Sequence, residues 1–276
     1  MVLFLAIQTF CVAATAQLEY LRLSPAQTIT QRVGVTTVTL EFSRPQRKGR
    51  QIFGGLVPYG QLWRTGANEN TKISFDYRVR IGETELPKGT YALLTLPQPT
   101  SWDIYVYTDT NNLDVPDPID STKLIYLTTV KPYELPAPEE TLVINIYDIT
   151  ETSANLGISW ARAAVKVPLT FYTRAAMEDK IATTFRQNAL DYSIAAAYYA
   201  QRGLELEKAK ALQELSMELR EQPSAWAYHD DGIILQKLGE QQAAARAFMR
   251  SLQLAQTTQN EYLIEENQKR LDELKK

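Results

Sequence analysis

Residues 72–81 read KISFDYRVRI, with Ile73, Phe75, Tyr77, Val79 and Ile81 alternating with Lys72, Ser74, Asp76, Arg78 and Arg80. Successive side chains of a strand point to opposite sides, so an apolar residue at every second place sets one face on a core and leaves the other in water. The segment is expected to be one half-buried strand. Upstream, Val38, Leu40 and Phe42 alternate with Thr37, Thr39 and Glu41, and Val33-Gly34 breaks residues 28–42 into a pair of strands. Downstream, Gly82-Glu83 and Pro87-Lys88-Gly89 mark turns. Further strands are expected at about 90–97, 101–108, 122–130, 141–149, 153–160 and 164–171. Short strands separated by turn signals, with no helices between them, read as an antiparallel β-sandwich over residues 17–171, and a closed barrel would show a similar pattern. Trp102, Ile104 and Val106 are expected to face its core, as are Leu156, Ile158 and Trp160.

Between the first strands and residue 72 lies SRPQRKGRQIFGGLVPYGQLWRTGANENT, residues 43–71. It has neither strand nor helix period, yet it holds five glycines, two prolines, one Trp, one Tyr and four arginines in 29 residues. A disordered linker would be poor in aromatics and branched apolar residues. An ordered loop of this length in a compact domain usually binds something. Over residues 43–72, Arg44, Arg47, Lys48, Arg50, Arg64 and Lys72 stand against Glu69 alone, a local charge of +5 on a chain whose net charge is −3. Such a loop attracts an anionic ligand or an acidic surface. Two readings of Arg44, Arg50, Tyr59, Trp63, Arg64, Asn68 and Glu69 follow. In one, guanidinium groups grip a carboxylate, sulfate or phosphate while the aromatics flank an apolar or sugar face. In the other, Arg64 pairs with Glu69, Asn68 holds a left-handed turn and Trp63 plugs one end of the sandwich. On the first reading Arg44, Arg50 and Arg64 converge on one depression walled by Trp63 or Tyr59.

After Phe171 the composition changes. From Arg174 to Lys276 there is one Pro and three Gly, and Ala, Leu, Gln and Glu dominate, as in helices. Ala196, Tyr199, Gly203 and Leu212 return 36 residues later as Gly232, Leu235, Gly239 and Phe248, with Pro223 between the units. Residues 172–276 are therefore expected to be an all-α, repeat-like domain of two helix hairpins, flanked by helices at about 175–188 and 259–275. The second unit resembles a tetratricopeptide repeat. The first fits less well, because Lys208 falls where a small residue is expected and Ala209 comes one place later. Tyr192, Tyr199, Trp226 and Tyr228 either line a groove or, as most such aromatics do, fill the core.

The first two-thirds of the chain resembles a family of bacterial secreted proteins known as domain of unknown function 2911. The likeness rests on Ser24-Pro25, Gln31-Arg32-Val33-Gly34, Ser43-Arg44-Pro45, Lys48-Gly49-Arg50, the run from Ile52 to Gly60, the run from Trp63 to Glu69, Leu86-Pro87-Lys88-Gly89-Thr90-Tyr91 and Trp102. It covers about residues 23–170 and implies a fold and an exported location, but no activity. Residues 108–122, TDTNNLDVPDPIDST, depart from the family pattern.

Residues 1–16 carry no charge, are mostly apolar and end in Ala14-Thr15-Ala16, which reads as a cleaved export signal. The basic segment that usually precedes such a run is missing, which points to a start further upstream. Cleavage there removes Cys11, the one cysteine, and with it disulfide and thiolate chemistry. The expected location is periplasmic or secreted, with no membrane span. The acidic balance argues against nucleic acid as a partner. His229, the one histidine, lies in the helical part, so the sandwich can hold neither a histidine metal site nor a Ser-His-Asp triad. It is expected to be an ordinary helix residue beside the solvated pair Asp230-Asp231. Asp109, Asp114, Asp117 and Asp120, with Asn111 and Asn112, offer oxygen ligands for calcium, but the spacing suits a plain turn. No metal or cofactor is called for. The sequence points to a non-enzymatic module that binds an anionic small molecule or glycan through the loop and a protein through the helices. The alternative is a polysaccharide hydrolase with two carboxylates meeting at the loop.

Overall fold

The computed structural model describes residues 22–184, 186 and 188–275, so the export signal expected at residues 1–16 lies outside the described residues. The chain divides into two compact units, one ending at Thr173 and the other starting at Arg174.

The first unit is all-β. Its strands are β1 (Ala26–Val33), β2 (Thr36–Ser43), β3 (Lys72–Phe75), β4 (Val79–Ile81), β5 (Thr84–Leu86), β6 (Gly89–Pro97), β7 (Trp102–Tyr107), β8 (Leu124–Val130), β9 (Tyr133–Tyr147) and β10 (Ser153–Phe171). They form a six-stranded sheet in the order β1-β2-β3-β6-β7-β8 and a four-stranded sheet in the order β5-β4-β10-β9. Every pairing is antiparallel. One apolar core joins them: Leu40, Ile73, Leu93, Trp102, Ile104 and Val106 from the larger sheet meet Ile81, Ile144, Leu156, Ile158 and Trp160 from the smaller. The side chains expected to face the core do so.

The stretch 72–81 is not one strand. β3 belongs to the larger sheet and β4 to the smaller, so the chain changes sheets between Phe75 and Val79. Asp76 fixes the crossing: its Oδ1 accepts the Thr37 N–H at 2.7 Å, and its own N–H donates to the Thr37 carbonyl. Both sheets turn their inner faces to the same core, so the alternation passes through the bend unchanged. The opposite correction applies at 153–171. Two expected strands are one, and the interruption read near residue 161 is a bulge at Ala161, which has a φ of 51°. β9 also starts earlier than expected. Its first half carries Pro136 and Pro138, which a strand tolerates only where its amides face no neighbour, and β9 is an edge strand.

The second unit is helical: α1 (Thr173–Thr184), α2 (Ala189–Gln201), α3 (Leu206–Glu218), α4 (Ala225–Lys237), α5 (Gln241–Thr257) and α6 (Glu261–Glu273). Its repeat shows in the caps. The side chains of Asn188, Ser224 and Asn260, each 36 residues apart, accept the N–H of the third following residue at the start of α2, α4 and α6. Gly203 and Gly239 end α2 and α4 at positive φ, where a Cβ would be strained. The second helix of each hairpin is then out of step by one residue. Leu204 and Glu205 separate Gly203 from α3, but Glu240 alone separates Gly239 from α5. The equivalent spacing falls to 35: Ser216 Oγ donates to the Ala189 carbonyl at 2.6 Å, and Ser251 Oγ to the Ala225 carbonyl at 2.7 Å. Ala209 thus takes the place of Ala244, both fully buried. Gln213, not Leu212, takes the place of Phe248.

His229 is buried. Its Nδ1 lies 2.9 Å from Asn267 Oδ1, while Asn267 Nδ2 donates to Ser251 Oγ at 2.9 Å and to the Leu263 carbonyl at 2.6 Å. This polar chain ties α4, α5 and α6 together. Asp230 and Asp231 are half-buried, not solvated. Burial, with the charge of Glu214, pushes the Asp231 carboxyl up to about 6 from 3.8. A raised carboxyl pKa means the folded chain keeps a proton that the unfolded chain releases, so this group's contribution to stability falls as pH rises from about 4 through about 6. Asp231→Asn is therefore expected to raise stability at pH 7.5 by about 1 kcal/mol after discounting for partial exposure, and to change nothing near pH 4. Urea unfolding at the two pH values checks it; an equal effect at both would rule out titration as the cause.

Candidate functional site

The loop 43–71 is ordered by backbone pairing at three places: Gln46 with Thr141, Phe53 with Val57 and Trp63 with Thr95. The last bridge carries Trp63 onto the end of the core. Its ring stacks on Trp160, 6.1 Å between centroids at 20°, meets Phe53 edge-on at 6.0 Å, and donates from Nε1 to the Gly66 carbonyl at 3.1 Å. Asn68 holds the left-handed turn at a φ of 60°, and its Nδ2 donates to the Ser24 carbonyl and to Ser43 Oγ, both at 3.0 Å. These two parts of the scaffold reading hold.

Between this scaffold and the segment 45–50 lies a depression of about 400 Å³. Lys48, Arg50 and Arg64 line it, with Trp63 and Trp160 at its wall and no Asp or Glu among the lining residues. Two of the three expected arginines therefore meet. Arg44 does not: its Nε braces β9 by donating to the Leu142 carbonyl at 2.9 Å. Tyr59 is not in this wall either; it lies over Gly54 beside a second hollow. Arg64 and Glu69 do not pair. Arg64 is bound to Asp114, and Glu69 to Arg22 at 2.5 Å. The hydrogen bond from Arg22 holds the Glu69 carboxyl below its ordinary range. Burial works to raise Asp114, but the hydrogen bonds from Arg64 and the Val115 amide outweigh it and the carboxyl ends lower than usual.

The candidate site residues read from the sequence do not include Lys48, which counts there only for its charge and in the family likeness; it sits at a φ of 49° beside Gly49 at 71° in the centre of a tight turn. The turn is closed by the Arg50 amide on the Arg47 carbonyl at 3.0 Å, and Lys-Gly between two arginines was the available signal. Arg50 spends its Nε on the Arg47 carbonyl at 2.9 Å and one Nη2 hydrogen on the Gln46 carbonyl at 2.5 Å. Among the described residues neither Arg50 nor the Lys48 ammonium has a carboxylate within ion-pair distance, and Arg64 Nε is buried without an acceptor. The depression thus sets the Lys48 ammonium and the Arg50 guanidinium, neither of them held by a carboxylate among the described residues, beside an aromatic wall.

Three of the four aspartates of 109–120 have partners within the protein. Asp109 pairs with Lys123 at 3.3 Å, Asp114 with Arg64, and Asp120 caps Thr122 at 3.0 Å. Among the described residues, no three His, Cys, Asp or Glu side chains group as metal ligands do. In the helical unit Tyr199 is buried, as expected, but Trp226 is 48 % exposed. Leu190, Trp226 and Tyr262 lie 36 residues apart at the second position of α2, α4 and α6, and all three are exposed, Trp226 and Tyr262 stacked at 5.8 Å.

An antiparallel sandwich with a long ordered loop at one end, followed by a helical repeat, is the class of protein these features define. Residues 24–169 match the model of the DUF2911 family, described as a protein of unknown function, and the chain belongs to that family. No curated protein and no solved structure matches it. No helix among the described residues is long and apolar enough to cross a membrane.

Proposed function

We propose that the chain is an exported, non-enzymatic binding module whose loop 43–71 captures an anionic group. The observation that carries this reading is the meeting of Lys48, Arg50 and Arg64 around a depression with no carboxylate in its lining. Asp114 offsets Arg64, so Lys48 and Arg50 leave positive charge beside an aromatic wall, which favours a ligand that neutralises it. Hydrolysis of a polysaccharide by paired carboxylates has less support, since neither member of a pair is present in that lining. The uncharged N-terminal run supports export. The tetratricopeptide-like helical unit is assigned contact with a protein partner, supported by the exposed series Leu190, Trp226 and Tyr262. Site-directed photocrosslinking from position 226 in the native host tests that assignment, and a crosslinker that finds no protein would end it.

The anion reading is tested by thermal unfolding of the full chain with sulfate, phosphate and citrate at constant ionic strength. Wild type is expected to gain about 3 °C or more at saturation. Arg64→Ala and Arg50→Ala are each expected to lose that gain while unfolding at a similar temperature without ligand. A gain unchanged in both variants would remove the depression as the site.

A further inference from the structure

The turn 47–50 is a ridge with a hollow on each side. Lys48 and Arg50 line the depression described above. Arg47, Arg50 and Arg162 line a second hollow of about 450 Å³, with Tyr59 at its edge and again no Asp or Glu in the lining. Arg50 belongs to both walls. Five cations therefore face two adjoining hollows across one ridge. Their nearest counter-charges are few: Asp114 holds Arg64, Glu134 lies 3.6 Å from Arg162 with both side chains more than half exposed, and Glu140 is engaged by the Lys48 amide. Arg162 is fixed by donating to the Leu135 and Pro136 carbonyls at 3.1 and 3.2 Å, and its place beside the ridge is set by the bulge at Ala161.

We infer that the ligand is a chain: an acidic polysaccharide, carboxylated or sulfated, that lies across the 47–50 turn and places charges in both hollows. This rests on the reading of the Lys48–Arg50–Arg64 depression as an anion site. One small anion cannot neutralise cations on both sides of a ridge, whereas charges repeated along a sugar chain can, each added contact acting at high effective concentration. The exposed ring of Tyr59, 41 % accessible at the edge of the second hollow, offers a face for a sugar ring, which a bare polyphosphate would not use.

The experiment measures binding of heparin-derived and galacturonic-acid oligomers, from disaccharide to dodecasaccharide, to the full chain by calorimetry, with sulfate and a single-stranded DNA of equal charge as further probes. Affinity is expected to rise by about tenfold or more between the shortest and longest oligomers. The variant Arg162→Ala, which leaves the 47–50 turn intact, is expected to flatten that rise while keeping the thermal gain with sulfate. Affinity independent of length, an Arg162→Ala variant that binds long oligomers like wild type, or DNA bound as tightly as the sugars would each overturn the inference. The first two leave the anion reading standing. Failure of every probe, sulfate included, removes both.

Discussion

Trp160→Ala should lower the stability of the β unit by about 3–5 kcal/mol, the range for deleting a fully buried large aromatic. Trp160 is 1 % exposed, stacks on Trp63 and points Nε1 at the Glu140 carbonyl, 3.4 Å away. Its removal empties the point where β10, the loop and the core meet, and Trp63 loses the ring that holds it upright. Trp160→Phe keeps a ring and should lose roughly half as much. The check is urea unfolding followed by near-ultraviolet circular dichroism. A loss under about 1 kcal/mol for the Ala variant would mean that the loop does not depend on this stack. A well-folded Ala variant should also lose the thermal gain with anions, since one wall of the depression goes with the indole.

Asn267→Ala should destabilise the helical unit by about 2–4 kcal/mol, because truncation strands buried partners on three helices. Asn267 is fully buried and is the hub between His229, Ser251 and the Leu263 carbonyl. Asn267→Leu fills the volume but still leaves His229 Nδ1 without a partner, so it should recover only part of the loss. Thermal unfolding at 222 nm measures both. Equal stability of wild type and the Ala variant would show that the polar chain contributes nothing net, as some buried networks do when every member can relax together.

The strands and helices were legible in the sequence because burial imposes a period of two on one half of the chain and hairpin repetition on the other. The errors fall where the period carries no information. Lys72 to Ile81 keeps its alternation while changing sheets, because both sheets share one core. At Ala161 a bulge interrupts the alternation, so one continuous strand reads as two. In the helices, the one-residue insertion at Leu204–Glu205 moves α3 relative to α5, so matching at a fixed 36 equated Leu212 with Phe248 when the buried equivalent is Gln213. At the loop, composition brought Arg50, Trp63 and Arg64 to one place. It could not foresee that Arg44 would brace β9, nor that Arg64 and Glu69 would find Asp114 and Arg22, both remote in sequence. Ion-pair partners follow from topology, which residue type and local spacing do not encode.

The mutual clamp within the 47–50 turn also bears on how a ligand would be met. Arg50 Nε holds the Arg47 carbonyl and Arg47 Nε holds the Arg50 carbonyl, at 2.9 and 3.2 Å. A surface arginine ordinarily sweeps many rotamers and surrenders about 2 kcal/mol of that freedom when a ligand immobilises it. Here folding itself has restricted both side chains: each Nε is held within the turn, and Arg50 also spends Nη2 on the Gln46 carbonyl. Association at this ridge should therefore carry a small entropic penalty from the protein, and the selectivity between competing anions should be governed by how well their charge spacing matches two arginines that are already in position.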